Sequence, residues 1–232
     1  HRNDDMWAYN DWMKYGLNAI EWKADSVNFK QLADNRIEIS AILNGNGHNG
    51  FAVHHKVVYT ITGNGVINVS NDVTFDGLEI ALARMGVRMF LDKTLDSVQY
   101  FGRGPVENYA DRKLGSDVGH YAATVRELMT PYEKPMECGN HEDVRWIPVY
   151  NNNVKCLKIA RTDSLLQFSA LPYSDEEMDR VEYMIDLPES KGTVLCIGSK
   201  TLGVGSNSCG PRPLEKYVVR SKSSTFSYQM RL

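Results

Sequence analysis

The chain has no long apolar run. Nothing in its 232 residues approaches the roughly 20 consecutive apolar positions of a membrane helix. It also has no block of lysine and arginine. The formal net charge is −3, from 26 basic and 29 acidic residues. The electrostatic footprint of a nucleic-acid binder is therefore missing, and neither nucleic acid nor a membrane is expected as a partner. Cysteine is sparse: Cys138, Cys156, Cys196 and Cys209, with no CxxC pair and no zinc spacing. Cys156 and Cys196 lie in apolar runs and read as buried free thiols, although spacing alone leaves a disulfide open. Strand and helix patterns do not alternate, which argues against a (β/α)8 barrel. An initiating Met and a signal-peptide pattern are also missing. His1-Arg2 reads as an internal cut or a processed end, and the compartment stays unknown.

What is present is an ordinary globular balance, 42% hydrophobic and 24% charged. From about Asp25 to Phe101 the chain reads as strands. "RIEISAIL" (36–43) alternates polar and apolar, the period of a half-buried strand. "FAVHHKVVYTIT" (51–62) is β-branched, and "NGNGHNG" (44–50) joins the two as a hairpin signal. "VINVSNDVTF", "VRMFL" and "LDSVQYFG" continue the pattern. After an irregular stretch from Pro131 to Val144, "CLKIA", "LLQFSAL", "TVLCIG", "KYVVRS" and "TFSYQMRL" read as further strands. Ser174 and Glu177 form a capping box for one short helix, and Asp175, Glu176 and Glu177 suit its positive end. The simplest architecture is a single all-β antiparallel sandwich spanning residues 1–232. At the start, Trp7, Tyr9, Trp12 and Tyr15 crowd together. Either an amphipathic helix on a sheet or an aromatic loop edging a sugar site would use them.

One loop stands out. "YFGRGPVENYADRK" (100–113) breaks the chain with glycine and proline, then supplies Glu107, Asn108, Tyr109, Asp111 and Arg112. These residues could hydrogen-bond a sugar. They could equally brace the loop, with Arg112 paired to Glu107 or Asp111; the bracing role is the expectation. "ECGNHEDVRW" (137–146) offers Glu137, Asn140, His141, Asp143, Arg145 and Trp146. Polar forks beside one large ring are what carbohydrate surfaces use. His141 among carboxylates is expected to be a hydrogen-bonded loop residue, not a metal ligand. Asp143 and Arg145 are expected to form an ion pair at a strand edge. His54 and His55, neighbours in a strand, should face opposite sides.

Taken together and in order, "GRGPVENYADR", "TPYEKPMECGNHEDVRW", "FSALPYS" and "LGVGSNSCGP" resemble the C-terminal domain, or small chain, of the large β-galactosidases of glycoside hydrolase family 2. The resemblance covers essentially the whole chain. It implies a galactose-mutarotase-like supersandwich of antiparallel strands with a few short helices. It also implies hydrolysis of terminal β-galactosides with retention, through two glutamates on an upstream barrel of the same polypeptide. This chain would then hold no catalytic residue and no cofactor, the family's Mg and Na sites lying mainly on the barrel. It would brace that barrel and lend pocket-edge residues to the galactoside: Asp5, Trp7, Glu137, Asn140, His141, Arg145 and Trp146. The parents are often large oligomers. Two motifs depart from the family pattern. The usual opening, an arginine, a spacer and Asp-Asn-Asp, is "HRNDDMWAYND" here. The late Asp-Asp/Asn-Ser-Trp-Gly motif is Ser206-Asn207-Ser208-Cys209-Gly210, a thiol replacing the ring. A free-standing carbohydrate-binding module is the alternative. A mutarotase-type aldose epimerase ranks last, because no His–Glu acid/base pair can be placed by motif.

Overall fold

The structure, a computed structural model, describes residues 2–151 and 156–232. A short 3-10 turn leads into α1 (Met6–Tyr15). There follow β1 (Glu21–Ala33), β2 (Arg36–Asn46), β3 (Ala52–Thr62), β4 (Val66–Asp76), β5 (Arg84–Asp92), β6 (Ser97–Gly104) and β7 (Asp117–Thr124). Next come α2 (Val125–Leu128), β8 (His141–Val144), β9 (Trp146–Tyr150), β10 (Cys156–Arg161), β11 (Leu166–Leu171), α3 (Asp175–Asp179), β12 (Gly192–Thr201) and β13 (Ser224–Arg231). The described strand pairs are antiparallel. The fold is therefore all-β with a few short helices, as the sequence led one to expect. The chain forms two compact units. One takes the chain up to Trp7, Ala83–Lys158 and Leu165–Val219; the other takes Ala8–Leu82, Ile159–Ser164 and Arg220–Leu232.

The second unit is built on β1-β2-β3-β4-β13, neighbours in that order. Period-2 alternation sorts its residues into two faces. Ile39 pairs with Tyr59, Tyr59 with Val69 and Val69 with Tyr228, which gives one apolar face. Asn71 lies on that face and is 1% exposed. It is satisfied there: its amide donates to the Phe226 carbonyl at 3.2 Å and its oxygen lies 2.9 Å from His55 Nε2. His54 faces the other way, 2.8 Å from Asp76. The "NGNGHNG" turn closes with Gly47 N donating to Phe51 O at 2.9 Å, and Asn49 and Gly50 take left-handed φ of 52° and 78°. The aromatic start of the chain is a helix. α1 buries Ala8, Trp12 and Tyr15, and Trp12 Nε1 donates to Ala81 O at 2.8 Å. The edge strand β1 is almost wholly exposed; Lys23, Lys30 and a register irregularity between Ala24 and Ser26 guard it.

The first unit contains β9-β6-β7 and a second sheet, β5-β12-β11-β8. β11 is buried at every position, Gln167 and Ser169 included. α3 opens on the expected capping box of Ser174 and Glu177. Three sequence expectations need correction. "KYVVRS" is not a strand but a 3-10 turn, Glu215–Tyr217, because Tyr217 gives its carbonyl to Gly203 N at 3.0 Å instead of to a ladder. Cys156 is exposed, since alternation along β10 turns Leu157 and Ile159 inward. β7, β9 and α2 form where no element was expected. Cys138 and Cys196 are buried, and all four thiols are free.

Candidate functional site

The site grows from the loop after β6. Asn108 is fully buried and fixes it. Its amide donates to Arg103 O at 3.1 Å and Val106 O at 3.0 Å, while its oxygen accepts from Glu142 N at 2.8 Å. Glu107 accepts from Gly139 N at 2.7 Å, from the Tyr109 hydroxyl at 3.3 Å and from the Tyr132 hydroxyl. Gly139 is needed there: its φ is +70°, and a Cβ would lie 2.7 Å from Leu128 O. Asp111 accepts from Val204 N at 3.0 Å and Gly205 N at 2.8 Å. Arg112 donates to Gly205 O at 2.6 Å, not to Glu107 or Asp111, whose oxygens are taken. The loop is therefore braced within itself through Asn108 and Tyr109, and outward onto the Gly-rich loop 202–212 through Asp111 and Arg112.

The N-terminal segment grips the same Gly-rich loop. Arg2 donates to Leu202 O at 3.2 Å and to Gly203 O at 3.4 Å. Asp4 accepts from Ser208 N and Oγ, both at 2.8 Å. The Arg212 guanidinium sits 5.3 Å from the Trp7 ring centroid. Residues 2–7 are thus tied to loop 202–212 at three successive points, with "GRGPVENYADR" gripping that loop as well.

Beneath lies a ladder of charges, buried at Arg2 and Asp5 and exposed at Glu176. Arg2 forks onto Asp5 at 3.0 and 2.9 Å and meets Glu137 at 3.4 Å. Arg84 lies 3.7 Å from Glu137 and 3.4 Å from Asp175. Arg88 meets Asp175 at 3.8 Å and makes two 2.8 Å bonds to Glu176. Burial opposes the charge on Arg2, but Glu137 and Asp5 outweigh it and hold the guanidinium above its ordinary pKa. Burial pushes Glu137 up, against the pull of Arg2 and Arg84. The hydrogen bond from Arg88 holds Glu176 down at about 2. The acids of α3 therefore have named partners, not only a helix dipole. Tyr109, also pushed up by burial, has its ring 5.0 Å from the Arg2 guanidinium carbon.

The sequence candidates separate into three places. Asp5, Trp7 and Glu137 belong to the N-terminal segment and the ladder, although Asp5 and Glu137 are buried in ion pairs. Asn140 and His141 are 3% and 1% exposed and present no surface. Asn140 donates to Asn108 O at 2.8 Å. His141 Nδ1 donates to Arg103 O at 3.0 Å, its ring lying 4.7 Å from Tyr100 and 5.1 Å from Phe168. Arg145 and Trp146 join a separate row of rings on β6, β7 and β9. There Phe101 stacks on His120 at 4.4 Å, Trp146 lies 5.3 Å from His120, and Arg145 covers Phe101. The expected Asp143–Arg145 ion pair does not form. Asp143, at a left-handed φ of 55°, gives its carboxylate to Arg103 and Lys113, and Arg145 takes the Asp143 carbonyl instead. Its carboxyl is held below the usual range: burial works the other way, and the bonds from Lys113 and Arg103 prevail. Among the described residues no group of three or more His, Cys, Asp or Glu is placed to hold a metal. Reading the sequence missed Arg2, Arg84, Arg88 and Arg212. Apart from the Arg2–Asp5 fork, their partners lie far away along the chain, and no spacing signals them.

Comparison with known proteins follows the motifs. A family described as "Beta galactosidase small chain" matches residues 1–232. A β-galactosidase of Staphylococcus xylosus is 27% identical over 99% of this chain and 23% of its own length. One from Priestia megaterium is 30% identical over 74% of this chain and 17% of its own. The chain thus spans about a fifth of these relatives. Among solved structures, an aldose epimerase homologue from C. elegans overlaps 88% of this chain and 67% of its own, with a TM-score of 0.42 at 8% identity. Matched over all its residues, this chain belongs to the β-galactosidase small-chain family.

Proposed function

We propose that this chain shapes the rim of the active site of a retaining β-galactosidase and braces its catalytic barrel. The barrel and its two glutamates would lie elsewhere in the same polypeptide, as would the Mg and Na sites. The galactoside would meet this chain at its edge. The observation that carries this reading is the gripping of one Gly-rich loop by two other segments, Arg2–Asp4 and Asp111–Arg112. Such a brace holds a surface loop in one geometry, which is what a pocket rim requires. The carboxylates Asp5, Glu107, Glu137 and Asp175 are each committed to arginine, amide or phenol partners. None of these four is free to serve in a glycosidase pair.

The test is Asp111→Ala in the full-length polypeptide. The change frees Val204 N and Gly205 N and loosens the loop. A fall in kcat/KM for a β-galactoside of roughly ten- to a hundredfold is expected, on the scale of a 1 Å misplacement. Unchanged kinetics in a folded variant would remove the rim role.

A further inference from the structure

We propose that Trp7 and Arg212 form a contact for the oxygen acceptors of a bound carbohydrate, and that this contact favours sugars bearing a carboxylate over neutral ones. The proposal rests on the reading that the Gly-rich loop borders a sugar site. Two buried donors near that loop have no acceptor among the described residues: Trp7 Nε1 and Arg2 Nη1. Arg2 itself is 6% exposed. An unpaired buried donor costs roughly 1–3 kcal/mol, and folded proteins keep few of them. Both sit on the segment tied along loop 202–212, one at each end of it.

Arg212 adds charge at the same place. It is exposed and lies over the Trp7 ring; among the described residues no carboxylate pairs with it. The one acid of the N-terminal segment that reaches this loop, Asp4, is occupied by Ser208. The pair Trp7–Arg212 is therefore rich in donors and has no acceptor of its own: an indole N–H and a five-donor guanidinium. A ligand offering oxygens satisfies it, and lifting Arg212 off the ring toward the ligand opens the indole to the same molecule. Hydroxyls and carboxylates both qualify, but a carboxylate forks onto guanidinium with charge-assisted bonds about twice as strong.

The test uses full-length polypeptide labelled with 5-fluorotryptophan and read by fluorine NMR. The Trp7 resonance is assigned by its loss in Trp7→Phe. Galactose and galacturonate are titrated separately. The Trp7 signal is expected to shift with both sugars, at about tenfold lower galacturonate concentration, a difference of about 1.4 kcal/mol. Arg212→Gln, which keeps the ring, should bring the two midpoints together. Equal midpoints in the unmodified protein, or no shift with either sugar, would overturn the proposal. Hydrolysis of a neutral galactoside by the same sample reads the parent function independently. Turnover without a Trp7 shift removes the contact and leaves the rim role; a shift without turnover does the reverse.

Discussion

Replacing Arg2 by alanine is expected to lower the stability of the unit that holds it by about 3–5 kcal/mol. The reason is what the change leaves behind. Asp5, 3% exposed, loses a two-bond fork, and Glu137 loses one of its two arginines. Both acids would then sit in low dielectric with less compensation than they need. The Leu202 and Gly203 carbonyls lose their donor as well. Arg2→Lys should recover little, because an ammonium cannot reproduce the fork. Urea unfolding followed at the tryptophans measures this. A loss under about 1 kcal/mol, the range of an exposed ion pair, would show that the ladder is ornamental.

His141 makes stability depend on pH. Burial pulls its pKa down from 6.5 to about 4 in the folded protein, so the unfolded chain binds its proton more readily. The sign follows from linkage. The contribution is fully present above pH 6.5 and is lost as pH falls from there to about 4, for a total of about 3 kcal/mol. Glu176 and Asp143, held down by their cations, lose stability in the same direction but at lower pH. Glu137, raised by burial, works the other way. The informative quantity is therefore the difference between wild type and His141→Phe. The variant keeps a ring between Tyr100 and Phe168 but leaves Arg103 O without this donor. It should start about 1 kcal/mol less stable and then gain on wild type as pH drops from 6.5 to 4. Parallel stability curves would show that His141 titrates normally.

The strands of residues 36–76 were legible because each has one apolar and one polar face, and glycine turns separate them. β11 was legible as a strand, but its Leu-Gln-Phe-Ser start gives no sign that both faces are buried. β7 was not: Val118 is exposed and its neighbours alternate weakly, so its pairing with β6 comes from tertiary context. The loop 102–112 was legible as a braced corner, but not what it braces. Arg112 finds Gly205, and Asp111 finds Val204 and Gly205, contacts that local spacing cannot announce. The polar run Asn140–Trp146 misled in a definite way. It looks like a binding surface, yet Asn140 and His141 lie inside, each hydrogen-bonded to backbone across the unit. A buried hydrogen-bonding residue and a ligand-binding one are the same letters in a sequence.

The most direct test of the central claim is to capture the native polypeptide from its source cells with an antibody against this chain. Its mass and galactosidase activity are then measured in the same fraction. A polypeptide several times the 26.2 kDa of this chain, with β-galactoside hydrolysis co-eluting, is the predicted result. Hydrolysis in a fraction that contains only a species near 26.2 kDa would contradict it, because the catalytic carboxylates would then have to lie within these residues.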